Sequence, residues 1–194
     1  MEEKAGSYKL AVVGGGAGGG GDLNLPIVIK TRGHTHYRVE HRDKEGRLKG
    51  IDEFDNTITI AGLNKLIDAN FKGGNASPAW YIGFVDGATT PTFDPSDTLD
   101  GHTGWAENTD YAEYMIGGRP AFAPGDVADG AADNTLSRAA FTITANGAIA
   151  GCFLTDAPTG DEGVLYGEGA YASGVRGVEI GDTSRVTATV SVTD

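Results

Sequence analysis

The chain reads as a mainly β protein: an antiparallel sandwich or Greek-key (jelly-roll-like) barrel with one short helix and an extended N-terminal arm. Three observations predict this. Short apolar or alternating segments recur between Gly, Pro, Asn and Asp, giving roughly eight to ten strands. A single stretch has helical spacing, in "AGLNKLIDANF". Glycine is unusually abundant, with 31 of 194 residues, which favours turns and close backbone contacts over long helices.

Residues 1–26 form the predicted arm. "LAVV" is too short to build a core, and "GGGAGGGG" (Gly14 to Gly21) has no side chains to pack until Pro26 closes the tract. A single β-rich domain is expected over residues 27–194. "IVIKTRGHTHYRVEHRD" and "LKGIDEFDNTITI" read as an antiparallel pair turning at Lys44–Arg47. In the helix candidate, Leu63, Leu66, Ile67 and Phe71 fall on one apolar stripe, and Gly73 and Gly74 follow it. "AWYIGFVDG" (Ala79–Gly87) reads as a buried strand. A long polar connection then runs from about residue 88 to 111, a length that marks a surface loop held by partners or a small insertion. "EYMIGGRPAFAPG", "SRAAFTITANGAIAGCFLTD", "GVLYGEGAY", "GVRGVEI" and "SRVTATVSV" supply further short strands. The last alternates so that Val186, Ala188, Val190 and Val192 share a side.

The net charge of -12 is unevenly spread: residues 1–50 balance at +3 and residues 51–194 at -15. So acidic a body repels phosphate backbones, which argues against direct nucleic-acid binding. The basic front is instead suited to an acidic neighbour, a second copy included. No apolar run approaches the roughly 20 residues that cross a bilayer, so no membrane partner is expected. Cys152, the one cysteine, lies in apolar "IAGCFL" and reads as a small buried hydrophobe; assembly in a reducing cytoplasm is the expectation.

Candidate chemistry is sparse. Gly14, Gly16 and Gly19 match a dinucleotide-type glycine pattern, but Gly20, Gly21 and Pro26 deny it the helix that must receive the pyrophosphate. His34 and His36 project from one strand face and His41 from the other, short of a zinc set without further ligands. Asp94, Asp97 and Asp100, and Asp126, Asp129 and Asp133, make acidic loops without EF-hand spacing. No serine sits in a G-x-S-x-G elbow. No catalytic residue, metal or cofactor is therefore expected.

One stretch carries a family likeness. From Tyr37 to Asp86, the residues Val39, Glu40, Asp43, Lys44 and Gly46, then Asn56, Gly62, Leu63, Asn64, Leu66 and Asp68, then Ala79, Trp80, Tyr81 and Gly83 resemble a family of tailed-bacteriophage proteins encoded among head and tail structural genes. "RPAFAPG" (Arg119–Gly125), "FTITANGAIAGCFLTD" and "LYGEG" (Leu165–Gly169) extend the likeness; Phe84 stands where leucine is expected, and the glycine tract lies outside the shared pattern. The resemblance implies a virion part assembled in the host bacterial cytoplasm. Capsid decoration comes first, with the major capsid protein and neighbouring copies (a trimer or dimer) as partners. A tail, neck or head-fibre component and a carbohydrate-binding adhesin module are the alternatives. Adhesion through the arm would use Tyr8, Leu10, Val12, Val13 and Leu23. Trp105, Tyr111, Tyr114 and Met115 either anchor the long loop on a partner or close over their own core.

Overall fold

The computed structural model describes residues 10–11, 28–29, 32–72 and 79–193. Two small strands, β1 (Leu10–Ala11) and β2 (Val28–Ile29), pair antiparallel, with Leu10 opposite Ile29. Within the body run β3 (Arg32–Arg42), β4 (Leu48–Asp55), β5 (Thr57–Ile58), α1 (Ile60–Phe71), β6 (Trp80–Asp86), β7 (Glu107–Asn108) and α2 (Ala112–Gly117). After them come β8 (Ala121–Phe122), β9 (Ala131–Asp133), a 3-10 turn (Thr135–Ser137), β10 (Ala139–Thr142), β11 (Gly147–Thr155), β12 (Leu165–Ala170), β13 (Arg176–Val178) and β14 (Thr183–Thr193).

The fold is mainly β, with two principal sheets and little helix. The first sheet has the order β10-β14-β3-β4, with β9 also on β14. The second runs β5-β12-β11-β6-β7, with β13 also on β11 and β8 on β6. Strands β3 and β14 pair along eleven residues, from Arg42 opposite Thr183 to Arg32 opposite Thr193. Alternation on β3 decides which side meets the core: Thr35, Tyr37, Val39 and His41 are buried, whereas His34, His36, Arg38 and Glu40 face outward.

Both sheets contribute to one core. Tyr37, Val39, Phe54, Phe141, Val186 and Ala188 come from the first, and Ile82, Phe84, Cys152, Leu154 and Tyr166 from the second. Phe84 and Phe141 bridge the sheets with ring centroids 4.0 Å apart. Cys152 is buried and free, and burial pushes its thiol well above the ordinary range. On β14 the apolar side grades outward: Val186 and Ala188 are fully buried, Val190 is partly buried and Val192 is exposed.

A second, smaller core lies on the other face of the second sheet. Val85, Leu99, Trp105, Ala150, Phe153, Ala157 and Leu165 form it, with Phe93 packed against them. The long connection therefore folds down onto its own domain. Gly83 makes this possible, because a Cβ there would strike the Phe153 ring from the neighbouring strand.

Two expectations need correcting. The segment "EYMIGG" is not a strand: Ala112–Gly117 is a second helix, whose Glu113 carboxylate accepts from the Thr142 amide and hydroxyl at the end of β10. In α1, Leu63 and Leu66 pack on the core, but Ile67 is 38 % exposed and Phe71 is 80 % exposed. The cause is how the helix seats. Thr59 caps it, its hydroxyl accepting from the Gly62 amide (3.0 Å) and donating to the Leu165 carbonyl. Gly62 then lies flat on β12, and this rotates Ile67 and Phe71 away.

A Cβ at position 62 would come within 2.5 Å of the Tyr166 carbonyl oxygen. Helix propensity favours Gly62→Ala by up to about 1 kcal/mol, but overpacking against backbone costs about 1–3 kcal/mol. The contact should win: urea unfolding should show Gly62→Ala destabilised and Asn64→Ala, on the exposed face, near neutral.

Candidate functional site

Polar side chains converge in two buried places. The first joins the sheets. His41 of β3 shares a hydrogen bond with Ser184 of β14 (Nδ1 to Oγ, 2.8 Å), and its Nε2 lies 3.5 Å from the Asp52 carboxylate on β4. Asp52 has no exposed side-chain surface; it accepts from Arg176 of β13 (2.6 and 3.1 Å) and from the Ser173 hydroxyl. Burial alone would raise the Asp52 pKa, yet the bonds from Arg176 and Ser173 outweigh it and hold the carboxyl below its ordinary value. His41 moves the other way. Burial lowers it to about 4, against a smaller upward pull from Asp52, so the ring is neutral at pH 7.

A serine, a histidine and an aspartate in one line have the composition of a hydrolytic triad. The arrangement differs in two ways that matter. Ser184, His41 and Asp52 are each at most 2 % exposed, and both Asp52 oxygens are taken by Arg176 and Ser173. What the cluster does is fasten β3, β4, β13 and β14 together.

The second place lies under the long connection. Trp105 donates from Nε1 to Glu168 Oε2 on β12 (2.7 Å), and His102 stacks on the indole with centroids 3.7 Å apart. Beside them opens a polar cavity of about 250 Å³ lined by His102, Trp105, Glu107, Tyr114, Arg119 and Asp161, among others. Arg119 is its fixed point: it donates to both Glu107 oxygens (2.7 and 2.6 Å) and to the Ala157 and Gly160 carbonyls (2.8 and 2.7 Å), and stacks over Phe153.

A third feature is an apolar trough, also about 250 Å³, lined by Leu66, Trp80, Phe122, Val127, Leu154, Tyr166, Val190 and Val192. Val127 and Val192 at its rim are exposed. Gly33, next to Arg32 at the start of β3, pairs with Val192, so the trough opens where the N-terminal segment joins the body.

Of the residues expected to meet a partner, Tyr8, Val12, Val13 and Leu23 lie outside the described residues, and Leu10 belongs to β1. Trp105 and Tyr111 are spent in the two cores, Tyr111 with no exposed surface, so neither offers a free contact. Tyr114 packs partly against the main core, and Met115 alone of the four is mostly exposed, beside Ile116. The glycine pattern also lies outside the described residues. The positive balance of the front belongs to β3, β4 and their turn, where Arg38, Arg42, Arg47 and Lys49 already pair with Glu40, Glu53, Asp43 and Asp182. His34 and His36 both lean on one Asp55 oxygen (3.1 and 2.9 Å). Among the described residues no group of three His, Cys, Asp or Glu could hold a metal ion, and no helix is long and apolar enough to cross a membrane.

Neither a protein-family model nor a curated protein matches the chain.

His41 gives a pH signature with a definite sign. Its folded pKa, about 4, lies below the ordinary 6.5, so the unfolded chain binds the proton first. Stability from this residue is complete above about pH 6.5 and is lost as pH falls toward 4, by at most about 1.4 kcal/mol per pH unit. The stability difference between the wild type and His41→Gln, followed by urea unfolding from pH 4 to 6.5, should narrow as the pH falls. A constant difference would show that His41 does not carry this slope.

Proposed function

We propose that the chain is a tailed-bacteriophage virion structural protein, a capsid decoration or cement protein that binds the outer surface of the head and acts by adhesion without catalysis. Two things support the reading: the family likeness of residues 37–86 and the later motifs, and a body that leaves an apolar trough open beside the root of its N-terminal segment. The trough is the observation that carries it. Val127 and Val192 stand exposed at its rim, and covering side chains of this kind is worth about 1.5–3 kcal/mol each when burial is complete. One such contact is weak. Repeated over a symmetric shell, with the arm adding a second attachment, it becomes strong by avidity.

The finer architecture belongs to the same proposal: an antiparallel sandwich closing toward a Greek-key, jelly-roll-like barrel. A single residue, Asn56, carries the chain from β4 in one sheet to β5 in the other, exchanging hydrogen bonds with Thr35. On another side Tyr111 bridges to Ile143 and the Thr144 amide donates to the Asp110 carbonyl. In this reading the major capsid protein and neighbouring copies of the chain are the partners, in a trimer or dimer, on the virion surface. A tail, neck or head-fibre position uses the same surfaces and differs in copy number.

One observation favours the adhesin alternative. The cavity beside Arg119 combines aromatic walls with carboxylates, the lining that sugar hydroxyls and ring faces require. Binding of soluble glycans there, abolished by Arg119→Ala in a folded variant, would favour it over decoration.

Removing residues 1–26, or changing Val192 to Asp, should lower the number of copies retained per particle by tenfold or more while circular dichroism shows the body still folded. Full retention of both variants at capsid-lattice copy number would reject the adhesive mechanism.

A further inference from the structure

We propose that Glu168 and Asp97 form a proton-controlled latch that holds the segment 92–105 against the second sheet, and that loss of the shared proton lifts the segment and uncovers Trp105. The inference stands independently of the virion reading.

Glu168 is completely buried on the sheet face that the long connection covers. Its two oxygens have unequal surroundings. Oε2 accepts from the Trp105 indole, whereas Oε1 has no hydrogen-bond partner among the described residues. The side chain nearest in effect is a second carboxyl, Asp97, whose Oδ2 accepts from the Asp94 amide (3.2 Å). From the connection, Glu168 therefore faces Asp97, the Asp94 main-chain N–H and Trp105. Its register partners are Phe153 on β11 and Thr57 on β5. The Tyr37 phenol of the first sheet also feels its charge. Among the described residues, no lysine or arginine acts on it.

Two carboxyls that act on each other, with no cation beside them among the described residues, cannot both be ionised cheaply. The donors already pointing at them, an indole N–H and a main-chain N–H, favour one negative charge and disfavour a metal ion between them. A single proton resolves the geometry: Glu168 Oε1–H donates to the Asp97 carboxylate. Burial first, and Asp97 second, push Glu168 up to about 8, so the proton is present at neutral pH. When it leaves for solvent, the buried Glu168 charge faces the half-buried Asp97 carboxylate and the connection is the part free to move. Beyond the apolar contacts of Phe93, Leu99 and Trp105, its main-chain bonds run largely within itself, as from the Thr92 amide to the Gly104 carbonyl, while the Ile60 amide ties α1 to the Pro95 carbonyl. The sign is fixed: a raised folded pKa gives stability that is complete below about 4.5 and is lost as pH rises through about 8.

The test is hydrogen exchange by mass spectrometry on the full chain at pH 6 and pH 9, corrected for the intrinsic pH dependence of exchange. A Trp80→Phe background lets Trp105 fluorescence report the same event. In wild type, exchange across 92–105 should rise at least tenfold at pH 9, with a red shift of Trp105 emission and little change in β3 and β14. Glu168→Gln, which cannot ionise, should stay closed at both pH values. So should Asp97→Asn, whose amide can donate to an ionised Glu168; this variant keeps the test valid if Glu168→Gln does not fold. Equal protection of wild type at both pH values, or opening of both variants at pH 9, would overturn the latch. Protection at pH 6 that disappears on adding EDTA would overturn it too, because a cation would then hold the pair.

Discussion

Asp52 is the point through which the two sheets are fastened. Its carboxylate arrives on β4 of the first sheet and is gripped by Arg176, which sits on β13 at the flank of the second. His41 and Ser184 extend the grip to β3 and β14. A carboxylate with no exposed surface is tolerated only because its partners replace the lost water; removing one partner from such a pair costs about 3–5 kcal/mol. Apolar packing supplies the bulk of the cohesion, but it is indifferent to register. The Asp52 network is not: a one-residue slip of β4 against β3 would turn this carboxylate outward and Glu53 inward.

The hairpin of β3 and β4 was legible in the sequence because its signal is local. Alternation from Gly33 to Arg42 and the turn at Lys44–Arg47 survive in the fold, and the three histidines fall on the faces their parity assigns. Trp80–Asp86 was legible for the same reason, as a short apolar run bounded by Asp86–Gly87. What alternation could not show is depth. Val192 has the parity of Val186, yet it lies beyond the core and becomes the rim of the trough. Phe71 has the spacing of a buried helix residue and is exposed, because Gly62 and not the apolar stripe decides how α1 sits.

The long connection was the least legible part, for a physical reason. Its polar composition describes most of its residues correctly, but three apolar ones, Phe93, Leu99 and Trp105, find a second core on a sheet face formed from distant segments. Glu168 is the sharpest case. Nothing in "LYGEG" marks it as interior, and the placement of the long connection over it makes it buried. Both faces of β12 are interior because the main core covers one and the long connection covers the other, and no local pattern in the sequence carries that. The helix at Ala112–Gly117 escaped notice for a related reason: six residues are too few to establish a period.

The full-length pairing of β3 with β14 has a mechanical consequence. Arg32 and Thr193 stand opposite each other at one edge. Tension applied between tethers attached at these two positions would therefore act across the ladder, loading its hydrogen bonds one rung after another. Antiparallel strands pulled from a shared end peel apart at low force, whereas strands pulled from opposite ends must slide and break many rungs together. A tether at Arg32 and an anchor at Thr183, on the other strand and at the far end, would place the same ladder in shear, so where the body is gripped sets how much strain it withstands.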